Sequence, residues 1–178
     1  MGIAAALPPW PDKKSPATRH LLIFRQALKT RAKGAKRSHT YIFGLYGVDC
    51  PENSVSQEPG RVAEQAEWFR TGENQVGEWG RAAAEFTAAR LASGKVTVHT
   101  RKAEARGQSK KNRYYAVVEV DGRDLGLELV ERGLARAFGQ RVAFERFSPE
   151  EFMRRYERKE RTARSQKVGI WSGMVPPP

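Results

Sequence analysis

Residues 113–133, RYYAVVEVDGRDLGLELVERG, constrain the fold more than any other stretch, because they dictate three elements and the joints between them. RYYAVVEV has the β-branched and aromatic content of a strand. Asp121-Gly122 is a tight-turn pair of the kind that accepts positive φ. Asp124 then stands where its carboxylate can cap a helix carrying Leu125, Leu129 and Val130, and Gly133 marks that helix's end. Any fold for this chain must mix strand and helix within a short span.

The reading extends outwards. KVTVHTR (95–101) alternates Val96, Val98 and Thr100 with polar neighbours, as a half-buried strand does. RHLLIFRQAL (19–28) and HTYIFGLYGV (39–48), joined by a basic loop around Gly34, read as an antiparallel pair. Helices are expected over 60–71, where Val62, Ala66 and Phe69 share a face, and over 80–93, stopped by Gly94. Ser148-Pro149-Glu150-Glu151 is the plainest helix start, with a cap, a first-turn proline and a capping-box glutamate. That helix places Phe152 and Tyr156 together and is expected to end near Gln166. The order of elements predicts an α+β fold. Its expected form is a five-stranded OB-fold barrel with flanking helices, although the helix count fits other α+β arrangements equally.

The 178 residues suit one domain, expected over 19–173, with a proline- and alanine-rich arm at 1–18 and a tail at 174–178. No run approaches the roughly 20 apolar residues of a membrane span. MGIAAALPPWPDKK has no basic region ahead of its short apolar run, so a signal peptide is not expected, and the compartment stays open between cytoplasm and export after processing. A lone cysteine, Cys50, rules out an internal disulfide. His20, His39 and His99 have no spacing that suggests a metal site or a triad. Charge is more telling. There are 32 Lys and Arg against 20 Asp and Glu, a net of +12, with the excess toward both ends. Such an excess points to a polyanionic partner, most often DNA or RNA, and equally describes a basic, solvated surface. The protein is expected to be a monomer.

YIFGLYGVDCPE (41–52) delivers two acids at the end of an apolar strand. Asp49 and the carbonyl of Cys50 are oxygen donors suited to a hard cation such as calcium. Pro51 stiffens the turn, and Glu52 then stands where a carboxylate can orient or deprotonate water. An ordinary strand exit, with Asp49 capping the turn, accounts for the same four residues. Further on, GQSKKNRYYAVV (107–118) leads a basic segment into Arg113, whose planar fork suits a phosphate. Lys110 and Lys111 read as general phosphate contacts or as solvated charge.

Taken in order, four motifs resemble the staphylococcal nuclease-like (thermonuclease) family. LYGVDCPE resembles its R-L-x-G/L-I/V-D-A/T/C-P-E signature, and WGRAAAEF its Y-G-x-E-A-x-x-F helix start. KKNRYYAVVEVDGRDLGLELVERGLAR resembles the family's long strand–turn–helix run, and ERTARSQKVGIWS its G-I-W-S close. The resemblance implies an OB-type barrel and a calcium-dependent endonuclease that hydrolyses DNA and RNA to 3′-phosphate products. It implies Asp49 and the Cys50 carbonyl as metal ligands, Glu52 as general base, and Arg113 on the scissile phosphate. A catalytically degenerate nucleic-acid-binding OB module is the alternative it allows.

The departures are specific. The family's arginine five residues before the metal aspartate is replaced by Gly44. Its upstream D-G-D-T motif has no counterpart, since no acid lies between Lys13 and Val48. Ser109 and Lys111-Asn112 replace an acid and a tyrosine-glycine pair. Residues 53–79 form an insertion expected to carry the helix at 60–71. Phe138 is the nearest aromatic to the family's nucleotide-stacking tyrosines, and Arg141 and Arg146 are candidates to replace the missing cation.

Overall fold

A computed structural model describes residues 26–30, 39–53, 59–104 and 113–176. The largest sheet is built around the strand that the sequence marks most strongly, β5 (Arg113–Val120). β4 (Val96–Glu104) pairs with it antiparallel on one side. On the other side β2 (His39–Leu45) runs parallel to β5 and carries β1 (Gln26–Thr30) antiparallel on its outer edge. The expected antiparallel pair is therefore present over its described residues; residues 19–25 and 31–38 lie outside them. Ala116, Val117 and Val118 are all buried, so both faces of β5 are covered. That explains an apolar run without alternation.

The turn at Asp121-Gly122 has φ of 52° and 73°, the mirror-image geometry that suits a two-residue hairpin. β6 (Arg123–Asp124) folds back on β5, and Asp124 caps α3 (Leu125–Glu131) by accepting from the Leu127 N–H at 3.2 Å. A ribbon separate from the main sheet joins β3 (Val48–Asp49) to β7 (Arg136–Ala137), pairing Asp49 with Arg136. Among the described residues the pairings run β1–β2–β5–β4, with β6 on β5, and none closes them into a ring. The observed architecture is α+β, with a five-stranded sheet among the described residues.

Four helices pack around it. α1 (Pro59–Phe69) buries Val62, Ala66 and Phe69, the face its spacing predicts. α2 (Glu73–Ala92) begins well before the expected Gly80. Gly77 and Gly80 interrupt its apolar pattern, yet tertiary contacts hold this first part helical. Trp79 is buried and donates its indole N–H to the Met174 carbonyl at 2.9 Å. Gly80 lies so close to the strand exit that a Cβ there would collide with the Glu52 carbonyl. α4 (Pro149–Ser165) starts as its sequence dictates: Ser148 Oγ accepts from the Glu151 N–H at 3.2 Å, and Glu151 accepts from the Ser148 N–H at 2.8 Å. Its Tyr156 hydroxyl donates to Asp124 at 2.6 Å, tying α4 to the β6–α3 joint. Burial first, and then Asp124, pushes that phenol well above its ordinary pKa. Phe43, Phe86, Leu129, Phe152 and Ile170 belong to the one large core beneath these helices. No described helix is long and apolar enough to cross a membrane.

Candidate functional site

β3 and the turn after it place Asp49, the Cys50 carbonyl and Glu52 on one small surface. Pro51 is buried between them, and Gly80 allows the backbone of α2 to press against Glu52 from behind. Helix α1 closes the front. Its Gln65 is fully buried, and its side-chain amide makes three hydrogen bonds, two as donor and one as acceptor. The amide nitrogen donates to Asp49 Oδ2 at 3.2 Å and to the Cys50 carbonyl at 2.9 Å. The amide oxygen accepts from the Glu52 N–H at 2.8 Å.

One turn earlier, Arg61 spans the two acids. Its Nη2 donates to Asp49 Oδ1 and its Nε to Glu52 Oε1. A second guanidinium arrives from β7. Arg136 donates from Nε to Asp49 Oδ2 at 2.8 Å, and its two Nη atoms fork onto Glu64 of α1 at 2.6 and 2.8 Å. The Arg136 side chain is 1% exposed, which makes it the most deeply held charge at this surface.

Burial works against both guanidinium charges, and the acids more than offset it. Asp49 and Glu52 hold Arg61 above its ordinary pKa, and Glu64 and Asp49 do the same for Arg136. Glu64 is held below the usual carboxylate range, chiefly by its hydrogen bond from Arg136. Burial, followed by the charges of Asp49 and Glu52, pushes the Cys50 thiol well up, so it stays neutral. Only its backbone carbonyl is a donor.

Aromatic rings stack against these cations. The Arg136 guanidinium lies 4.4 Å from the Phe138 ring centroid and 5.1 Å from that of Trp68. Arg164 lies 5.4 Å from Trp68 and 4.1 Å from Trp171. Phe138 and Trp68 are 46% and 44% exposed, so both rings reach solvent beside a fixed positive charge.

Of the residues singled out from sequence, Asp49, Cys50 and Glu52 meet here, and Phe138 joins them through Arg136. Gly44 sits on β2 opposite Tyr115, and Arg113 begins β5 opposite Ile42, so the two belong to neighbouring strands. Lys110 and Lys111 lie outside the described residues, as does the arm at 1–18. Arg146 stacks on Phe147 at 5.1 Å, and among the described residues the cations that reach the acids are Arg61 and Arg136. Arg61, Glu64, Gln65 and Trp68 were legible in one respect. They recur at the spacing of a single helix face, beside the apolar stripe of Val62, Ala66 and Phe69. Arg136 has no such local signal.

Calcium takes six to eight oxygens, several of them carboxylate. At this surface both Asp49 oxygens, the Cys50 carbonyl and Glu52 Oε1 already accept from Arg61, Gln65 or Arg136. A further acid beside them, Glu64, is forked by Arg136. No cluster of three or more His, Cys, Asp or Glu able to hold a metal occurs among the described residues. The donor set as arranged does not fit a calcium ion. The family model described as staphylococcal nuclease homologue matches residues 43–173. No curated protein matches the chain.

Proposed function

Because the chain belongs to the staphylococcal nuclease homologue family, we propose that it engages nucleic acid through the phosphodiester backbone, as a binding module built on a nuclease scaffold. The observation that supports this reading is the closure of Asp49 and Glu52 by Arg61, Gln65 and Arg136. Free carboxylates would repel phosphate, whereas Asp49 and Glu52 are each paired with a fixed guanidinium. With a net charge of +12, the chain has an ample excess of positive charge for a polyanion. Lys110 and Lys111 are proposed as backbone contacts, and Phe138 as a ring on which an unpaired base stacks.

A second reading, hydrolysis, is favoured by one feature: Glu52 and the Arg61 guanidinium are in contact. Glu52 would take a proton from water as its oxygen attacks phosphorus. Arg113, with a released Arg61, would hold the charge that develops on the phosphoryl oxygens while the P–O5′ bond breaks and the 5′-oxygen takes a proton from solvent, giving a 3′-phosphate. Calcium is the family's expected cofactor.

Fluorescence anisotropy with labelled single-stranded DNA, single-stranded RNA and duplex DNA tests the binding reading. Log affinity should fall linearly with log salt. Replacing both Lys110 and Lys111 by alanine should reduce the slope by roughly 0.7 per lost single-strand contact. Salt-independent or absent binding would refute it. Cleavage measured in calcium and in chelator, beside Glu52→Ala, separates the two readings. Cleavage above that control would establish the enzyme.

A further inference from the structure

We propose that Arg61 and Gln65 of helix α1 occupy a cation position, so that the protein carries its counter-charge as a guanidinium and excludes divalent metal from a surface otherwise able to take one. The inference holds whether the domain binds or cleaves nucleic acid. It rests on where the donors point. Asp49 Oδ1, Asp49 Oδ2, the Cys50 carbonyl and Glu52 Oε1 face inward from a stretch of four residues, the oxygen-rich arrangement a hard cation uses. Each oxygen meets an N–H from α1, and Arg136 adds one more on Asp49 Oδ2.

The two donors have different jobs. Gln65 is neutral and fully buried, and it fastens to backbone on both sides of Pro51 through the Cys50 carbonyl and the Glu52 N–H. It sets the seat of α1. Arg61 brings the charge. Its side chain is 37% exposed and reaches in from the rim, so removing it opens the front of the acid pair without disturbing buried packing. Arg136 is different again, being enclosed and shared with Glu64, and it stays when Arg61 goes. Arg61 is therefore the residue that decides whether a metal can enter. A guanidinium presents fixed, planar donors and cannot be diluted away, whereas a bound ion is lost when its concentration falls.

Thermal unfolding in millimolar calcium chloride against chelator tests this on the full chain. The wild-type midpoint should not move. Arg61→Ala and the longer-chained Arg61→Gln should each gain a calcium-dependent rise of about 3–6 °C at tenfold excess over Kd. Adding Asp49→Asn to either should abolish the rise. Should Arg61→Ala not fold, Arg61→Gln carries the test, and terbium luminescence titrated into the wild type gives an independent reading. A calcium-dependent rise or saturable terbium binding in the wild type would overturn the proposal. So would folded Arg61 variants that remain indifferent to calcium.

Discussion

Two acid–arginine clusters on this molecule look alike as ion pairs and differ in what their oxygens do. At Glu128 of α3, one buried carboxylate accepts from Arg90 of α2 at 2.8 Å and from Arg123 of β6 at 2.7 Å. Arg90 goes on to the Val120 carbonyl at 2.9 Å. The cluster ties α2, β5, β6 and α3 together around a single acid, as a staple does. At Asp49, three carboxylates meet two arginines while Gln65 holds the adjoining main-chain carbonyl, and two of those acids lie three residues apart in sequence. Convergence of several oxygens from a short stretch, rather than the presence of ion pairs, separates a ligand-type surface from a structural joint.

The most damaging change should be Arg136→Ala. It removes an enclosed cation from Asp49 and Glu64 and also empties the space between Phe138 and Trp68. Urea unfolding followed by tryptophan fluorescence should show a loss of about 3–5 kcal/mol, the range for breaking a buried pair. Glu128→Ala should follow at about 2–3 kcal/mol, because its arginines are partly exposed and Arg90 keeps Asp121 and the Val120 carbonyl as partners. The comparison breaks if Glu128→Ala weakens nucleic-acid binding as well, since a staple should leave affinity unchanged in the folded protein.

Local chemistry made much of this legible. The Ser148 capping box, the Asp121-Gly122 turn, the Asp124 cap and the buried face of α1 each depend on residues within one or two turns, and each appears where its sequence places it. The strand exit at Asp49 and Glu52 was legible for the same reason. The cations that close it were not. Arg136 reaches Asp49 through β3–β7 pairing across 87 residues of chain, and strands of two residues are too short to show alternation. Arg61 and Gln65 stood in a visible stripe, but nothing local says that the stripe turns toward Asp49. Closure of the five-stranded ring depends on pairings far apart in sequence, and the described strands pair along a path without completing it.

Gly80→Ala sharpens the contrast from the other side. A new methyl group would run into the Glu52 carbonyl and backbone of the strand exit, far from Glu128. Overpacking of this kind should cost about 1–3 kcal/mol and push Glu52 away from Gln65 and Arg61. Amide exchange at Glu52, whose N–H is held by Gln65, should accelerate more than global unfolding explains. Unchanged local exchange would mean that α2 does not set the position of Glu52.

The smallest expected effect is a pH dependence peculiar to the Asp49 cluster. Arg136 holds the Glu64 carboxyl below the usual range, so the folded state binds its proton less readily than the unfolded state does. The stability this gives is present above the unfolded glutamate value, near 4.3, and is lost as pH falls through the lower folded value. Glu64 is half exposed, so solvent screens the pair and the contribution is modest. Glu64→Gln keeps the shape and removes the titration, so its unfolding free energy should depend less on pH than the wild type's across that acid window. Matching acid limbs in the two proteins would show that Arg136 owes its position to Asp49 and its aromatic neighbours alone. In that case α1 would be fastened at this surface through Arg61 and Gln65, with no contribution from Glu64.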